Sequence, residues 1–211
     1  MSTRIKICGI TRPEDAACCV AHGADALGFV FYPSSPRYVA PTAAARLVGS
    51  VPPFVTRVGL FVNAPAAEVR AVLDAVPLDL LQFHGDEDAA YCASFGLPYL
   101  KAARVRPGLD LLEYAARFPS ARAILCDAFV DGYGGGGKTF DWSLVPQGLS
   151  LPMVLSGGLS PDNVAEAIRA LRPAAVDVSS GVELGKGVKD HAKIAAFIAE
   201  VRAADESIRS S

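Results

Sequence analysis

Two segments of the chain end in a side chain that can move a proton. Lys6-Ile7-Cys8-Gly9 presents a thiol, and Leu125-Cys126-Asp127 presents a carboxyl. A thiolate and a carboxylic acid at the rim of one mouth suit a general base and a general acid. A small buried cysteine and a loop-capping aspartate use the same residue types, so type alone does not separate the two readings. Arg37 follows Pro33 and Pro36, which stiffen its loop. Its guanidinium can hold a carboxylate through two parallel hydrogen bonds, although a solvated surface arginine is the commoner case. His84, in Gln82-Phe83-His84-Gly85, is a candidate ligand for substrate or a base. A satisfied structural imidazole competes with that reading, because no second histidine lies at a matching position. Two Gly/Ser turns, Ser156-Gly157-Gly158 and Ser179-Ser180-Gly181, can bring backbone N–H groups close to an anion.

Groups so far apart in sequence need a scaffold that gathers strand ends. Near-continuous apolar runs predict parallel strands at 5–9, 26–31, 57–62, 80–84, 99–105, 123–129, 153–156 and 175–179. Ala-rich helical patterns at 13–22, 41–50, 65–75, 87–95, 109–117, 161–171 and 189–203 separate most of them, several with proline in the first turn. The sixth interval is a Gly-rich loop with room for a short helix near 141–145. Eight regular units without a linker predict one domain over residues 1–211. The expected fold is a single (β/α)8 TIM barrel, with a short polar tail at 204–211. An open doubly wound sheet is the alternative. In a barrel, function gathers at the C-terminal strand ends, and the loops after strands seven and eight often hold phosphate. Gly157, Gly158, Ser180 and Gly181 fall there.

Alternation puts Cys8 on the same side as Lys6 and Asp127 on the side of Leu125, with Ile5, Ile7, Ile124 and Cys126 facing the helices. It also puts Asp177 with Ser179. Strands one and eight meet where a barrel closes, so Lys6 and Asp177 are expected to form an ion pair inside it, because a buried lone charge is costly. A strand phase off by one would send both to other partners.

The remaining composition excludes several classes. The chain has 211 residues, 51% hydrophobic and 20% charged, with 20 Lys and Arg against 22 Asp and Glu and a net charge of -2. This is globular composition without the basic excess a nucleic-acid partner calls for. No secretory leader and no apolar run of membrane-spanning length is visible, so a cytoplasmic protein with neither membrane nor nucleic-acid partner is expected. With 5 cysteines and no zinc spacing, neither a disulfide framework nor a metal site is expected. Gly132-Tyr133-Gly134-Gly135-Gly136-Gly137-Lys138-Thr139 matches the P-loop pattern. The motif needs a long helix directly after Lys-Thr, and the chain leaves room for two turns at most. A hinged lid over the barrel mouth is the better reading of this loop than a nucleotide site.

Taken together, the segments 6–11, 28–37, 58–63, 81–85, 134–142, 155–159, 162–164, 176–183 and 187–190 resemble the phosphoribosylanthranilate isomerase family, barrel enzymes of tryptophan biosynthesis. The likeness runs in order from Arg4 to about Phe197, with no departure at a position the family uses for chemistry. It implies an Amadori rearrangement of N-(5-phosphoribosyl)anthranilate. Asp127 would be the general acid, Cys8 the general base and Arg37 the partner of the anthranilate carboxylate. The backbone at Gly157, Gly158, Ser180 and Gly181 would hold the phosphate. The resemblance implies no cofactor, and its partners reduce to a small phosphosugar, with the chain a monomer or homodimer. A related aminoaldose isomerase of histidine biosynthesis would use two carboxylates and two similar halves, and neither is found. A non-catalytic barrel would have no reason to keep Cys8, Asp127 and Arg37 together. The chemistry asks for an aspartate raised above its ordinary pKa of about 3.9 and a cysteine lowered from about 8.5, the latter with help from Lys6.

Overall fold

Each β-rich run forms a strand whose outer face is apolar, and each Ala-rich run forms a helix that covers it. The computed structural model describes residues 2–128 and 141–210. In chain order it contains β1 (Arg4–Cys8), α1 (Pro13–His22), β2 (Ala26–Val30), α2 (Pro41–Gly49), β3 (Thr56–Phe61) and α3 (Ala66–Ala75). Next come β4 (Leu80–Phe83), α4 (Ala89–Ala93), β5 (Tyr99–Val105), α5 (Leu111–Ala116), β6 (Ala123–Ala128) and a 3-10 turn (Trp142–Leu144). The chain then runs through β7 (Met153–Leu155), α6 (Val164–Leu171), β8 (Ala175–Val178), a second 3-10 turn (Ser180–Val182), β9 (Glu183–Gly185), β10 (Val188–Lys189) and α7 (His191–Arg209). Strands β1 to β8 pair in order and close, β8 beside β1, with every pairing parallel. This is the expected (β/α)8 TIM barrel.

Strand alternation divides the core. Ile5, Ile7, Leu27, Phe29, Phe61, Leu81, Phe83, Ile124 and Val176 face outward and are almost wholly buried against the helices. Burying each such side chain stabilises the fold by about 1.5–3 kcal/mol. Inside the barrel, Leu100, Ala102, Ala123, Leu125 and Val154 cluster toward the N-terminal strand ends. Cys8, Val30, Leu60 and Val62 cluster toward the C-terminal ends. The buried polar residues Lys6, Gln82 and Asp177 share this interior.

The differences from the sequence reading have local causes. Most strands stop one residue early, where the turn to the next loop begins. The helix expected at 87–95 covers only Ala89–Ala93, because the Glu87 carboxylate is occupied by the backbone N–H groups of Asn63 and Gly85 and by Lys101. The helix expected from 161 starts at Val164, after a turn in which Asn163 Oδ1 accepts from Ser160 N. The polar tail expected at 204–211 is corrected. Helix α7 continues to Arg209, Ala204 is buried, and Asp205 accepts hydrogen bonds from Thr3 N and Oγ1, each at 2.7 Å. The antiparallel β9–β10 hairpin was not expected. The P-loop-like tract and proposed lid at 132–139, and Phe129 at the expected end of the sixth strand, lie outside the described residues.

Candidate active site

At the C-terminal mouth a cavity is lined by Cys8, Arg37, His84, Asp127, Gly157, Gly158 and Ser180, with Gln82, Asp177 and Ser179. The sequence candidates therefore meet in one place, with one exception. Gly181 is not among the lining residues, and a Cβ added there would meet the backbone carbonyl of Leu159. Among the described residues no three His, Cys, Asp or Glu side chains are grouped as metal ligands. No described helix is long and apolar enough to cross a membrane. All five cysteines are free.

Cys8 ends β1 and is 6% exposed. Beneath it the expected ion pair is present, with Lys6 Nζ 2.8 Å from Asp177 Oδ1 and both side chains 5% exposed. Register explains it, because Lys6 stands opposite Asp177 across the β1–β8 seam. Gly28 stands beside Cys8 on β2, and a Cβ there would lie 2.8 Å from Sγ and 3.1 Å from Lys6 Nζ. The missing side chain lets thiol and ammonium approach. The predicted lowering of the thiol is not met. Burial pushes Cys8 above its ordinary value, and the opposing pull of Lys6 does not overcome it. Burial alone would lower Lys6, but Asp177 and Cys8 raise it, so the ammonium is secure.

Asp127 near the end of β6 is held from two sides. Its Oδ1 accepts from Ala128 N at 3.0 Å, and its Oδ2 lies 3.0 Å from His84 Nε2. Gln82 Nε2 in turn lies 3.0 Å from His84 Nδ1. The His84 ring is thus not free: it bridges Gln82 and the candidate acid Asp127. Gln82 was missed. Its signal was a polar residue at an inward position of a strand whose neighbours Leu81 and Phe83 face out.

Arg37 is 7% exposed, which removes the surface-arginine reading. The two-bond edge expected for a ligand carboxylate is taken by the protein. Nε donates to Glu183 Oε1 and Nη2 to Glu183 Oε2, both at 2.8 Å. Lys189 Nζ donates to the same carboxylate at 2.9 Å, to Cys8 O at 2.6 Å and to Ser179 O at 3.1 Å. Burial alone would raise Glu183, but bonds from Arg37 and the Lys189 charge hold it below the usual carboxylate range. Burial pulls Lys189 below the usual lysine range, against Glu183. Sequence reasoning missed Glu183 and Lys189. The signal was two charges in a short Gly-containing stretch just after the eighth strand. On the other side of the cavity, Gly157 and Gly158 adopt left-handed φ of 83° and 66°. Asn163 Nδ2 donates to Gly158 O at 3.0 Å and fixes that turn.

Comparison with known proteins is consistent with this geometry. Residues 5–200 match the family model described as N-(5'phosphoribosyl)anthranilate (PRA) isomerase. The N-(5'-phosphoribosyl)anthranilate isomerase of Dechloromonas aromatica is 65% identical over 208 residues, covering 99% of this chain and 100% of that one. The crystal structure of phosphoribosyl anthranilate isomerase from Thermotoga maritima superposes with a TM-score of 0.89 at 46% identity, covering 95% of this chain and 99% of that one. A further isomerase structure, in complex with reduced 1-(o-carboxyphenylamino)-1-deoxyribulose 5-phosphate, gives a TM-score of 0.82 at 41% identity over 95% of this chain and 99% of that one. The chain belongs to the N-(5'-phosphoribosyl)anthranilate isomerase family.

Proposed function

We propose that the chain isomerises N-(5-phosphoribosyl)anthranilate to 1-(2-carboxyphenylamino)-1-deoxyribulose 5-phosphate, with Asp127 as acid and Cys8 as base. The reaction is an aldose–ketose rearrangement of tryptophan biosynthesis. One observation carries the reading: Cys8 and Asp127 share the wall of one cavity with Arg37 and two glycine/serine turns. Asp127 gives its proton to the furanose ring oxygen. The C1–O bond breaks as the nitrogen lone pair forms a C1=N iminium. Cys8 as thiolate takes the C2 proton, and the electron pair moves to nitrogen to give an enolamine. Protonation at C1 and loss of the C2 hydroxyl proton complete the ketone. The backbone N–H groups of Gly157, Gly158, Ser180 and Gly181 bind the phosphate, and Arg37 takes the anthranilate carboxylate through donors not engaged by Glu183.

Both catalytic groups must reach the correct protonation state. The Lys6 ammonium provides a countercharge when the thiol ionises. For Asp127, the orientation of Gln82 matters. With its amide N–H donating to His84 Nδ1, a neutral imidazole donates from Nε2 to a carboxylate. Gln82 Oε1 has no partner among the described residues. Turning the amide lets Oε1 accept from Nδ1–H, which leaves Nε2 bare and able to accept from a protonated Asp127. That state is the one the acid step needs. A doubly charged phosphate ester does not cross a bilayer, so we place the enzyme in the cytoplasm with its substrate.

The test is a steady-state assay with enzymatically generated phosphoribosylanthranilate, following loss of its fluorescence. Saturable turnover by the purified protein supports the reading, and its absence refutes it.

A further inference from the structure

Neither Glu183 nor Lys189 is assigned above to proton transfer, yet they are among the most buried charges of the described residues. Their side chains are 5% and 0% exposed. We propose that Glu183, held by Lys189, is a specificity-determining positioning residue: it clamps Arg37 so that the site selects a substrate bearing a carboxylate on its aryl amine. The inference rests on Arg37 as the carboxylate donor and deepens that reading.

The clamp is visible at both ends of Arg37. The guanidinium is fixed by two 2.8 Å bonds to one carboxylate. The stem crosses Gly9, where a Cβ would lie 2.6 Å from Arg37 Cδ. An arginine pinned in this way has lost its rotamer freedom before any ligand arrives, and preorganisation of this kind favours binding. It also uses Nε and Nη2, so a ligand must approach the donors that remain. Lys189 adds register. Its bonds to Cys8 O and Ser179 O tie the clamp to the strand end carrying the base and to the turn assigned to phosphate. The unexpected β9–β10 hairpin supplies both residues, Glu183 on β9 and Lys189 on β10.

The experiment measures dissociation constants by calorimetry on the full chain. The probes are reduced 1-(2-carboxyphenylamino)-1-deoxyribulose 5-phosphate, its phenylamino counterpart lacking the carboxylate, and inorganic phosphate. Wild type should prefer the carboxylated probe by at least about tenfold. Glu183→Gln, which keeps shape and loses charge, should reduce that preference to below about threefold and leave the affinities for the other two probes unchanged. Lys189→Met should act in the same direction. A Glu183→Gln protein that keeps the full preference overturns the inference. So does one that loses phosphate affinity in parallel, because a merely structural role would weaken every probe alike. If Glu183→Gln does not fold, Glu183→Asp carries the test: it keeps the charge and shortens the reach, so a reduced preference supports the clamp and an unchanged one refutes it. A wild type without carboxylate preference would instead remove the Arg37 reading, and the inference with it.

Discussion

Removal of Asp177 by substitution with alanine isolates the charge at the base of the site. In the wild type Lys6 and Asp177 meet at 2.8 Å with 5% of each side chain exposed. The alanine variant strands an ammonium inside the barrel, and breaking one partner of such a pair costs about 3–5 kcal/mol. The upper end has a physical ceiling. Lys6 can escape by releasing its proton, and deprotonating a lysine of ordinary pKa about 10.4 at pH 7 costs about 5 kcal/mol, at about 1.4 kcal/mol per pH unit. For a chain of this length, 3–5 kcal/mol corresponds to a drop in Tm of roughly 6–20 °C. Equilibrium urea unfolding at several pH values is the assay. The sign follows from linkage. A stranded Lys6 has a folded pKa below its unfolded value, so the deficit is largest below that folded pKa and disappears as pH rises toward about 10.4. Between pH 7 and 9 the variant should therefore regain stability relative to wild type. The paired lysine behaves oppositely, since its raised pKa keeps its contribution intact over that window. The double variant Lys6→Met/Asp177→Leu should recover most of the loss. A deficit under about 1 kcal/mol, or one indifferent to pH, would refute the charge argument.

Because burial raises the Cys8 thiol, its alkylation by iodoacetamide, followed by peptide mass spectrometry, should accelerate about tenfold per pH unit from pH 7 to 9. Lys6→Met should slow it further at each pH, and a plateau below pH 8 would contradict the shift. Arg37→Ala removes a charge-assisted carboxylate partner worth roughly 2–3 kcal/mol, so KM should rise about 30- to 150-fold. An unchanged KM in that variant would remove the assignment. His84→Ala takes away the group 3.0 Å from Asp127 Oδ2 and should lower kcat about 10- to 100-fold with little effect on KM, measured in the fluorescence assay. Undiminished kcat would make His84 structural.

The barrel was legible because its signals are local and repeated. Each outward face, such as Ile5 and Ile7 or Phe29, reads as part of an apolar run, and Pro13 marks the start of α1 at the residue expected. The Lys6–Asp177 pair was legible because two-residue alternation and barrel closure together fix which side chains meet. Helix ends were less legible wherever a side chain left the helix pattern for a distant backbone. Glu87 serves Asn63 and Gly85, while Asp205 serves Thr3 and so extends α7 to Arg209. The partner of Arg37 was hidden for a similar reason. Glu183 is 146 positions away, on a hairpin too short to carry a strand period. The direction of the Cys8 shift was not legible either, since it depends on how fully the thiol is buried against how near Lys6 lies. Ser180 met the cavity as expected while Gly181 did not, because the turn directs one residue toward the mouth and the next onto Leu159.

The central claim is that Cys8 and Asp127 are the base and acid of one isomerisation. Its most direct test is the turnover of Cys8→Ser and Asp127→Asn on phosphoribosylanthranilate, with wild type alongside and folding confirmed by circular dichroism. A hydroxyl is too weak an acid to supply a base near neutral pH, and an amide has no proton to give the ring oxygen, so each variant should lose about 10²–10⁴-fold in kcat. A folded variant of either kind that turns over at the wild-type rate would contradict the account.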